Sequence, residues 1–597
     1  MTASGSPTDS VRIAMTTLKG SQPDVTAPPT EGEAGRAKSP SLSESVTAQK
    51  ALLRRGSNGY SPSGGGGGGG GGSELESTGG PPRGLRYVLI ILTCSLFVFL
   101  VALNQAVLAA SVPALTNTWA YSTSYAGWYG SAYMLTATVF FPVFTRHYVS
   151  FGVKGVYLFS FLIFEAGALI GSFAGHPAML IAGRAMSGLG MAGGYSGSLL
   201  IVCSIPGPPE KRRLLASILN IVYVFGTLFG VVLSGAVLSG SMAQGATWRW
   251  GLWIDLFFLP PLLFLIIFVI RLPPHNVHQA TWIQRAAQID WLGALFALGS
   301  LICLLAGLQK TQPNTSASLG LKIGLLVGFL LLAVAFGINQ HLMGDRALLP
   351  PILFRNRSVA FGCIVSFLVG AVIMTLLYWI PAFFELARGT SPGQAVLNTL
   401  SYLLSALISA IAVSVGVAKF EVQIPVLAAG TLILSIGCGI LSTFDASMGM
   451  SSWTGLQVLA GIGSGISWML PSIAVTRVLA IDDFALGNSI VLFFHFLGAT
   501  IFLSVFENVF ASTFFRLLYN LVTQAESDAI KRLGWTNLAQ ATVLGTQSVV
   551  QAAGGAIGTM FFGTAIMAGA ACLAVFGMHF RPALVRARLT GSSASSV

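Results

Sequence analysis

About fourteen stretches of this chain are long and apolar enough to cross a lipid bilayer, and they recur from Tyr87 to Gly577. A spanning helix needs roughly 20 mostly apolar residues, because the hydrocarbon layer offers no hydrogen-bond partner to a backbone N–H or C=O group. Charged residues make up only 9% of the 597 residues, far below their usual share in soluble proteins. The sequence therefore predicts an all-α polytopic membrane protein.

The apolar stretches define fourteen predicted spans, numbered here in chain order. They lie at 87–110, 126–145, 153–173, 178–202, 213–240, 250–271, 289–309, 320–340, 358–383, 394–416, 424–442, 453–476, 488–510 and 556–577. Residues 1–84 are rich in Ser, Pro and Gly and include nine consecutive glycines, Gly64 to Gly72. Such a segment buries too little apolar surface to fold, so we expect a disordered tail.

The positive charge alternates between loops. Lys and Arg collect in the even-numbered loops, as in Lys211, Arg212 and Arg213 after the fourth span, and the odd-numbered short loops hold few. Because cytoplasmic loops carry this excess, we predict that both termini lie in the cytoplasm. We expect the membrane to be the plasma membrane. Asn314 begins an Asn-Thr-Ser sequon in a loop that this topology places outside, which predicts glycosylation; a chance tripeptide is the alternative.

The net charge of +12 is read as a topology signal, because the basic residues sit in short loops and tails. We therefore expect no nucleic-acid partner. The six cysteines are scattered singly, and no metal-binding, nucleotide-binding or nucleophile pattern is evident, so we expect neither a cofactor nor an enzyme.

A faint internal repeat relates the two ends of the membrane region. Pro113 and Pro381 end the first and ninth spans 268 residues apart, and the Gly-x-Gly motifs at Gly188 and Gly463 lie 275 residues apart. Repeats of this kind are typical of secondary transporters. We predict a tail at 1–84, a six-helix bundle at 85–271, an inserted helix pair at 272–345, a second six-helix bundle at 346–580 with an outer loop at 511–555, and a tail at 581–597.

Glycines line one side of the fifth span. Gly226, Gly230 and Ser234 lie four residues apart, with Gly235 adjoining, so they form a smooth ridge on which another helix packs closely. The ridge suits static packing and a sliding surface between the bundles equally well.

Four of the ionisable residues within the predicted spans stand out, because a charge there is costly and usually lines a cavity or meets a partner. Glu165 and Arg184 fall on adjacent antiparallel spans and could form a buried ion pair, either a proton switch or a structural bridge. Asp255 follows an aromatic-and-arginine cluster that could serve as an interfacial anchor, and His495 could titrate near neutral pH. We take these four residues as candidates for proton coupling.

Aromatic residues on the predicted cavity helices suit a large, flat or greasy ligand. The candidates are Trp128, Tyr133, Trp379 and Phe383. Lipid-facing aromatic belts use the same residue types.

Several motifs carry a family resemblance that covers about residues 87–580. They are LNQAVLAASVPAL (103–115), WYGSAYML (128–135), FEAGALIGS (164–172), AGRAMSGLGMAGGYSG (182–197), WRWGLWID (248–255), IDWLG (289–293), LFRNRSVA (353–360) and LQVLAGIGSG (456–465). Together and in this order they resemble the fungal fourteen-helix drug:proton antiporters of the major facilitator superfamily. The resemblance implies two six-helix bundles, two inserted helices and export of a substrate in exchange for protons.

The resemblance also implies roles for single residues. Arg184 and Gly188 match the motif linked to proton coupling, and Gly226, Gly230 and Gly235 match the antiporter motif. Glu165 stands where such exporters often carry an acid.

The sequence departs from the family pattern at several positions. Asn104, a further cavity candidate, replaces a usual Asp, and Asp255 replaces a usual Asn. Val231 replaces the proline of the antiporter motif, so antiport is less strongly implied than transport.

These observations predict a monomeric efflux transporter for an amphipathic secondary metabolite, such as a toxin, glycolipid or drug, driven by proton antiport. Uptake of a siderophore or nutrient by the same fold is one alternative. A transporter-like sensor without flux is the other.

Overall fold

The computed structural model describes residues 84–118, 126–205, 209–239, 248–270, 282–287, 289–310, 318–419, 422–444, 448–479, 484–523 and 538–578. Regular structure in these ranges is helical, apart from turns and bends. The helices are α1 (Leu85–Thr118), α2 (Ala126–Phe151), α3 (Val153–Ser172), α4 (Pro177–Ser204), α5 (Pro209–Ser239), α6 (Trp248–Phe257), α7 (Leu259–Val269), α8 (Trp282–Ala286), α9 (Trp291–Lys310), α10 (Leu319–Met343), α11 (Pro351–Phe354), α12 (Arg357–Leu386), α13 (Pro392–Asn398), α14 (Leu400–Lys419), α15 (Gln423–Leu441), α16 (Met450–Val478), α17 (Phe484–Tyr519) and α18 (Leu538–Val575).

Thirteen helical segments within the described ranges are long and apolar enough to cross a membrane. One of them joins α6 and α7, which break at Phe258 because Pro260 and Pro261 supply no backbone N–H. The second predicted span corresponds to α2, which is 26 residues long but is not among the thirteen. Its first half is rich in Trp, Tyr, Gly, Ser and Thr residues, which lower its mean hydropathy.

The thirteenth and fourteenth predicted spans are too short. α17 continues to Tyr519 and α18 begins at Leu538, so the predicted outer loop 511–555 is largely helical at both ends. A hydropathy window stops at polar residues such as Arg516, whereas a helix continues as long as its backbone hydrogen bonds are made.

The long helices pack in two groups. In the first, α1 packs on α5, and α4 packs on both α2 and α3; in the second, α12 packs on α17 and α18, and α16 packs on α14 and α15. The groups meet along α2 with α17 and along α5 with α13 and α14. α9 and α10 pack on each other, and α9 also contacts α2 and α17. The predicted domain limits stay predictions.

Two glycines make equivalent close contacts in the two helix groups. A Cβ atom on Gly190 would overlap the backbone of Phe164 on α3, and a Cβ atom on Gly463 would overlap the backbone of Leu434 on α15. Each glycine therefore lets its helix touch the backbone of the preceding long helix.

A second glycine pair fixes the register of the repeat. A Cβ atom on Gly188 would overlap the Tyr133 carbonyl, and one on Gly461 would overlap the Tyr402 carbonyl. Equivalent positions thus lie 273 residues apart, and the predicted pairing of Gly188 with Gly463 is wrong by two residues. The sequence misleads because glycines at 461, 463 and 465 offer two overlapping Gly-x-Gly motifs.

Asp290 fastens the inserted pair α9–α10. Its carboxylate accepts hydrogen bonds from Asn339 Nδ2 (2.8 and 2.9 Å), Gln340 Nε2 (2.8 Å) and the backbone N–H of Gly293 (2.7 Å). It therefore caps the start of α9 and holds the end of α10 beside it.

Candidate functional site

A buried polar cluster joins α1, α4 and α6. Arg184 Nη1 donates to Asn104 Oδ1, and Asn104 Nδ2 donates to Asp255 Oδ2. Arg184 Nε also donates to the Tyr129 carbonyl (3.3 Å), and the Arg184 guanidinium carbon lies 4.2 Å from the centroid of the Tyr133 ring. These five side chains are all fully buried. We call Arg184, Asn104 and Asp255 the polar cluster.

Asn104 is the link between two opposite charges. Its amide uses the oxygen toward Arg184 and the nitrogen toward Asp255, so each charged group is hydrogen-bonded to the opposite end of one amide dipole. Burying a charge is tolerable when a counter-charge and hydrogen bonds compensate its lost hydration. The cluster therefore explains how an arginine is held within the membrane region.

The cluster is not saturated. Asp255 Oδ1 and Arg184 Nη2 are both buried and have no hydrogen-bond partner. A carboxylate oxygen in this state is a ready acceptor for a proton or for a donor group of a ligand.

Glu165 lies on α3 near the polar cluster but outside its hydrogen bonds. Both of its carboxyl oxygens are buried without a hydrogen-bond partner, and it lies within electrostatic range of Asp255. The expected Glu165–Arg184 ion pair is not formed, because Arg184 is directed at Asn104 and Tyr129 instead.

His495 belongs to different surroundings. It lies on α17, and its ring meets the ring of Trp468 edge-on with the centroids 4.2 Å apart. Of the four candidates for proton coupling, the structure links Arg184 and Asp255 through Asn104, leaves Glu165 beside them, and places His495 among aromatic rings. Their functional roles stay predictions.

The predicted cavity residues are dispersed. Asn104 and Tyr133 adjoin Arg184, as described above. Trp379 packs on Phe510 (centroids 4.7 Å apart) and Phe383 on Phe444 (4.9 Å), within the core of the second group. Trp128 is half-buried against apolar residues near α9. The structure therefore does not gather these aromatic residues at one site.

Sequence reasoning missed a cluster of aromatic rings that spans both helix groups. Singly, each ring resembles an ordinary core residue of an apolar helix, and only His495 carried a signal. The members are Phe141, Tyr195, Tyr223, Trp468, His495 and Phe496, and we call them the aromatic cluster.

The glycines of the α5 ridge contact two different helices, one in the same helix group and one in the other. Cβ atoms on Gly226 and Gly230 would lie 2.7 and 2.8 Å from the carbonyl oxygens of Phe99 and Leu103, so these glycines seat α5 on α1 within one group. A Cβ atom on Gly235 would lie 2.9 Å from Val396 of the other group. Close packing within a group thus accounts for the first two glycines, and Gly235 lies where the groups meet. Asn314 lies outside the described residues.

Comparison with known proteins identifies the family. The sequence matches the Major Facilitator Superfamily over residues 94–503. It is 31% identical over 457 residues to the MFS-type efflux pump MFS1 of Arthroderma benhamiae, covering 76% of this chain and 84% of that protein. It is 32% identical over 461 residues to the efflux pump aflT of Aspergillus parasiticus, covering 76% and 88%.

Solved structures agree on the fold. An inward-facing bacterial homologue of the human lysosomal transporter Spinster superposes with a TM-score of 0.56 at 12% identity, covering 83% of this chain and 97% of that one. The proton:xylose symporter XylE superposes with a TM-score of 0.51 at 16% identity, covering 83% and 98%. The chain belongs to the Major Facilitator Superfamily of membrane transporters.

Proposed function

We propose that the protein exports an amphipathic secondary metabolite across the plasma membrane in exchange for protons. The direction of transport is supported by the two relatives described above, MFS1 and aflT, which are both named as efflux pumps. We further propose that it acts as a monomer. We also propose that both termini lie in the cytoplasm, as the distribution of Lys and Arg predicts.

The proposed proton coupling depends on Asp255 Oδ1, which is buried and has no hydrogen-bond partner. A proton taken up at Oδ1 neutralises the counter-charge of Arg184, and the Asn104 link then holds an unbalanced cation. Arg184 gains by moving toward another acceptor, which changes how α4 packs on α1 and α6. Protonation of Asp255 therefore shifts the equilibrium between two arrangements of the first helix group.

Glu165 is the second proton acceptor in this scheme. Its two carboxyl oxygens are unpartnered beside the cluster, so it offers a carboxylate to Arg184 when Asp255 is protonated. A substrate shifts the balance between the arrangements only through different affinity for each of them.

The contacts between the helix groups are those that alternating access must break and remake. Along α2 and α17, Thr138 faces Thr500 (3.3 Å) and Thr145 faces Ser489 (2.6 Å), hydroxyl to hydroxyl. The hydroxyls of Thr138, Thr145 and Thr500 each also donate to a backbone carbonyl of their own helix. Separation of the groups therefore leaves these three hydroxyls satisfied.

The test is export by the organism that encodes the protein. We expect deletion of the gene to retain one class of metabolite in the cells and the wild-type gene to restore its secretion, as measured by mass spectrometry of medium and cell extract. Asp255→Asn should bind substrate yet restore only slow secretion, whereas Asp345→Asn, at an exposed carboxylate on the inserted segment, should restore it fully.

Collapse of the proton gradient by an uncoupler should reduce secretion in the wild type. Accumulation of a metabolite in the medium of the deletion strain would instead indicate uptake. Identical metabolites in both strains would count against any transport function.

A further inference from the structure

We propose that the aromatic cluster is the ligand site and that it takes a planar fused-ring molecule carrying a hydrogen-bond donor, such as a phenolic hydroxyl. This assignment rests on the proposed function, since it names the chemical class of the exported substrate. Its support is the geometry of the six rings and one unpaired nitrogen.

Ring orientations differ within and between the helix groups. In the first group, Tyr195 meets Phe141 and Tyr223 edge-on, at 87° and 84°. In the second group, Trp468 meets His495 and Phe496 edge-on, at 83° and 90°. Edge-to-face packing of this kind leaves a flat face on each group directed at the other.

The two contacts that cross between the groups are parallel stacks. Tyr223 lies on Trp468 at 15° with centroids 4.9 Å apart, and Phe141 lies on Phe496 at 23° with centroids 5.2 Å apart. The six rings therefore close a circuit in which stacking is confined to the interface.

Separation of the groups would expose two pairs of parallel faces. A planar ring system occupies a layer roughly 3.5 Å thick, so a modest opening admits it between Tyr223 and Trp468 and restores a stacked contact on both of its sides. A saturated, puckered molecule of the same size cannot lie flat on both rings. Shape alone thus favours a planar ligand.

The tyrosine hydroxyls of the cluster are already engaged. Tyr223 Oη donates to Gln105 Oε1 (2.6 Å), and Tyr195 Oη donates to Asn220 Oδ1. Their hydrogen atoms are therefore not available to a ligand.

His495 supplies the polar recognition. Its Nε2 is buried and has no hydrogen-bond partner, while the ring is held by a hydrogen bond to the backbone carbonyl of Ser366. Donation from Nδ1 to that carbonyl leaves Nε2 as an acceptor. A ligand that lies against Trp468 with a hydroxyl at its edge would satisfy this nitrogen, which is otherwise a cost to the fold.

Three probes separate shape from hydrogen bonding. They are 2-hydroxyanthraquinone, which is planar with a donor; 2-methoxyanthraquinone, which is planar without one; and perhydroanthracen-2-ol, which has a donor but is puckered. Binding to the purified full-length protein in lipid nanodiscs is measured by equilibrium dialysis. We expect 2-hydroxyanthraquinone to bind about tenfold more tightly than either of the other two.

Three variants locate the site. Trp468→Leu should weaken binding of 2-hydroxyanthraquinone by about five- to tenfold, since one stacking face is lost. His495→Leu should abolish the preference for 2-hydroxyanthraquinone over 2-methoxyanthraquinone. The ratio of these two affinities is measured on one preparation of the variant, so it does not depend on the fraction of the protein that is folded. Phe264→Leu is the matched control, because Phe264 and Phe268 form a similar pair (4.7 Å) that is 59% and 54% exposed on α7.

Equal affinity of the wild type for the three probes, or no binding of 2-hydroxyanthraquinone, would overturn the assignment. So would an unchanged hydroxy-to-methoxy ratio in His495→Leu. Any of these results leaves the secretion experiment standing. Conversely, the predicted binding pattern in a protein whose deletion alters no secreted compound would refute the proposed function and leave the ligand site intact.

Discussion

Exchanging Asn104 and Asp255 tests whether the polar cluster is one energetic unit. Asp255→Asn removes the carboxylate that reaches Arg184 through Asn104 and leaves a buried cation between neutral groups. Breaking a buried ion pair in this way costs about 3–5 kcal/mol of the free energy of unfolding. Asn104→Asp alone places two carboxyl groups within hydrogen-bond distance, where they must share a proton, and costs about 1–3 kcal/mol.

The double variant Asn104→Asp/Asp255→Asn restores both the charge and the number of hydrogen bonds. The carboxylate at position 104 then faces Arg184 directly. The amide introduced at position 255 lies at the far end of the same chain of hydrogen bonds, on the other side of position 104 from Arg184. We expect the double variant to recover most of the loss, which corresponds to an interaction energy of about 3 kcal/mol or more between the two positions.

Unfolding is followed by labelling of buried thiols. Cys94, Cys363 and Cys438 are free and buried, so a thiol-reactive fluorogenic dye reports their exposure when the purified protein is heated or denatured in nanodiscs. We predict that the double variant unfolds at a temperature or denaturant concentration close to that of the wild type and well above that of Asp255→Asn. Effects of the two single changes that simply add in the double variant would refute a direct coupling between these side chains.

Asp290→Ala leaves two buried amide side chains without their hydrogen-bond acceptor. It should therefore lower the free energy of unfolding by about 2–4 kcal/mol, as measured in the same dye assay. An unchanged unfolding midpoint would show that Asp290 does not hold the inserted helix pair together. Gly190→Leu would drive a side chain into the backbone of Phe164 and should prevent a stable protein from being purified, whereas Gly155→Ala, with no atom near its new Cβ, should behave as the wild type. Equal yields of these two variants would contradict the packing. Glu165→Gln should weaken the dependence of secretion on external pH if Glu165 is the second proton acceptor, and secretion with the wild-type pH dependence would eliminate that role.

Sequence patterns located the charged residues of the site but not their partners. Arg184, Asp255 and Glu165 attract attention because an ionisable group within a membrane span is rare and costly. Which of them meet depends on the rotation of each helix about its axis, and one residue changes that rotation by roughly 100°. Arg184 therefore bonds to Asn104 rather than to Glu165, although both alternatives satisfy the order of the spans.

The aromatic cluster shows a second limit of sequence reasoning. Its six rings come from five helices, and all of them except His495 are ordinary residues of an apolar segment. Trp379 and Phe383 looked equally suitable, yet they pack within one helix group. Periodicity predicts that a helix forms, whereas the meeting of distant helices follows from packing of the whole chain.

The most direct test of the account is the pH dependence of export at Asp255. Secretion of the compound that the deletion strain retains is measured from wild-type, Asp255→Asn and Asp345→Asn cells in acidic and in neutral medium. We predict faster export into acidic medium for the wild type and for Asp345→Asn, and slow export that ignores external pH for Asp255→Asn. Export from Asp255→Asn cells with the rate and pH dependence of the wild type would contradict proton coupling through the polar cluster.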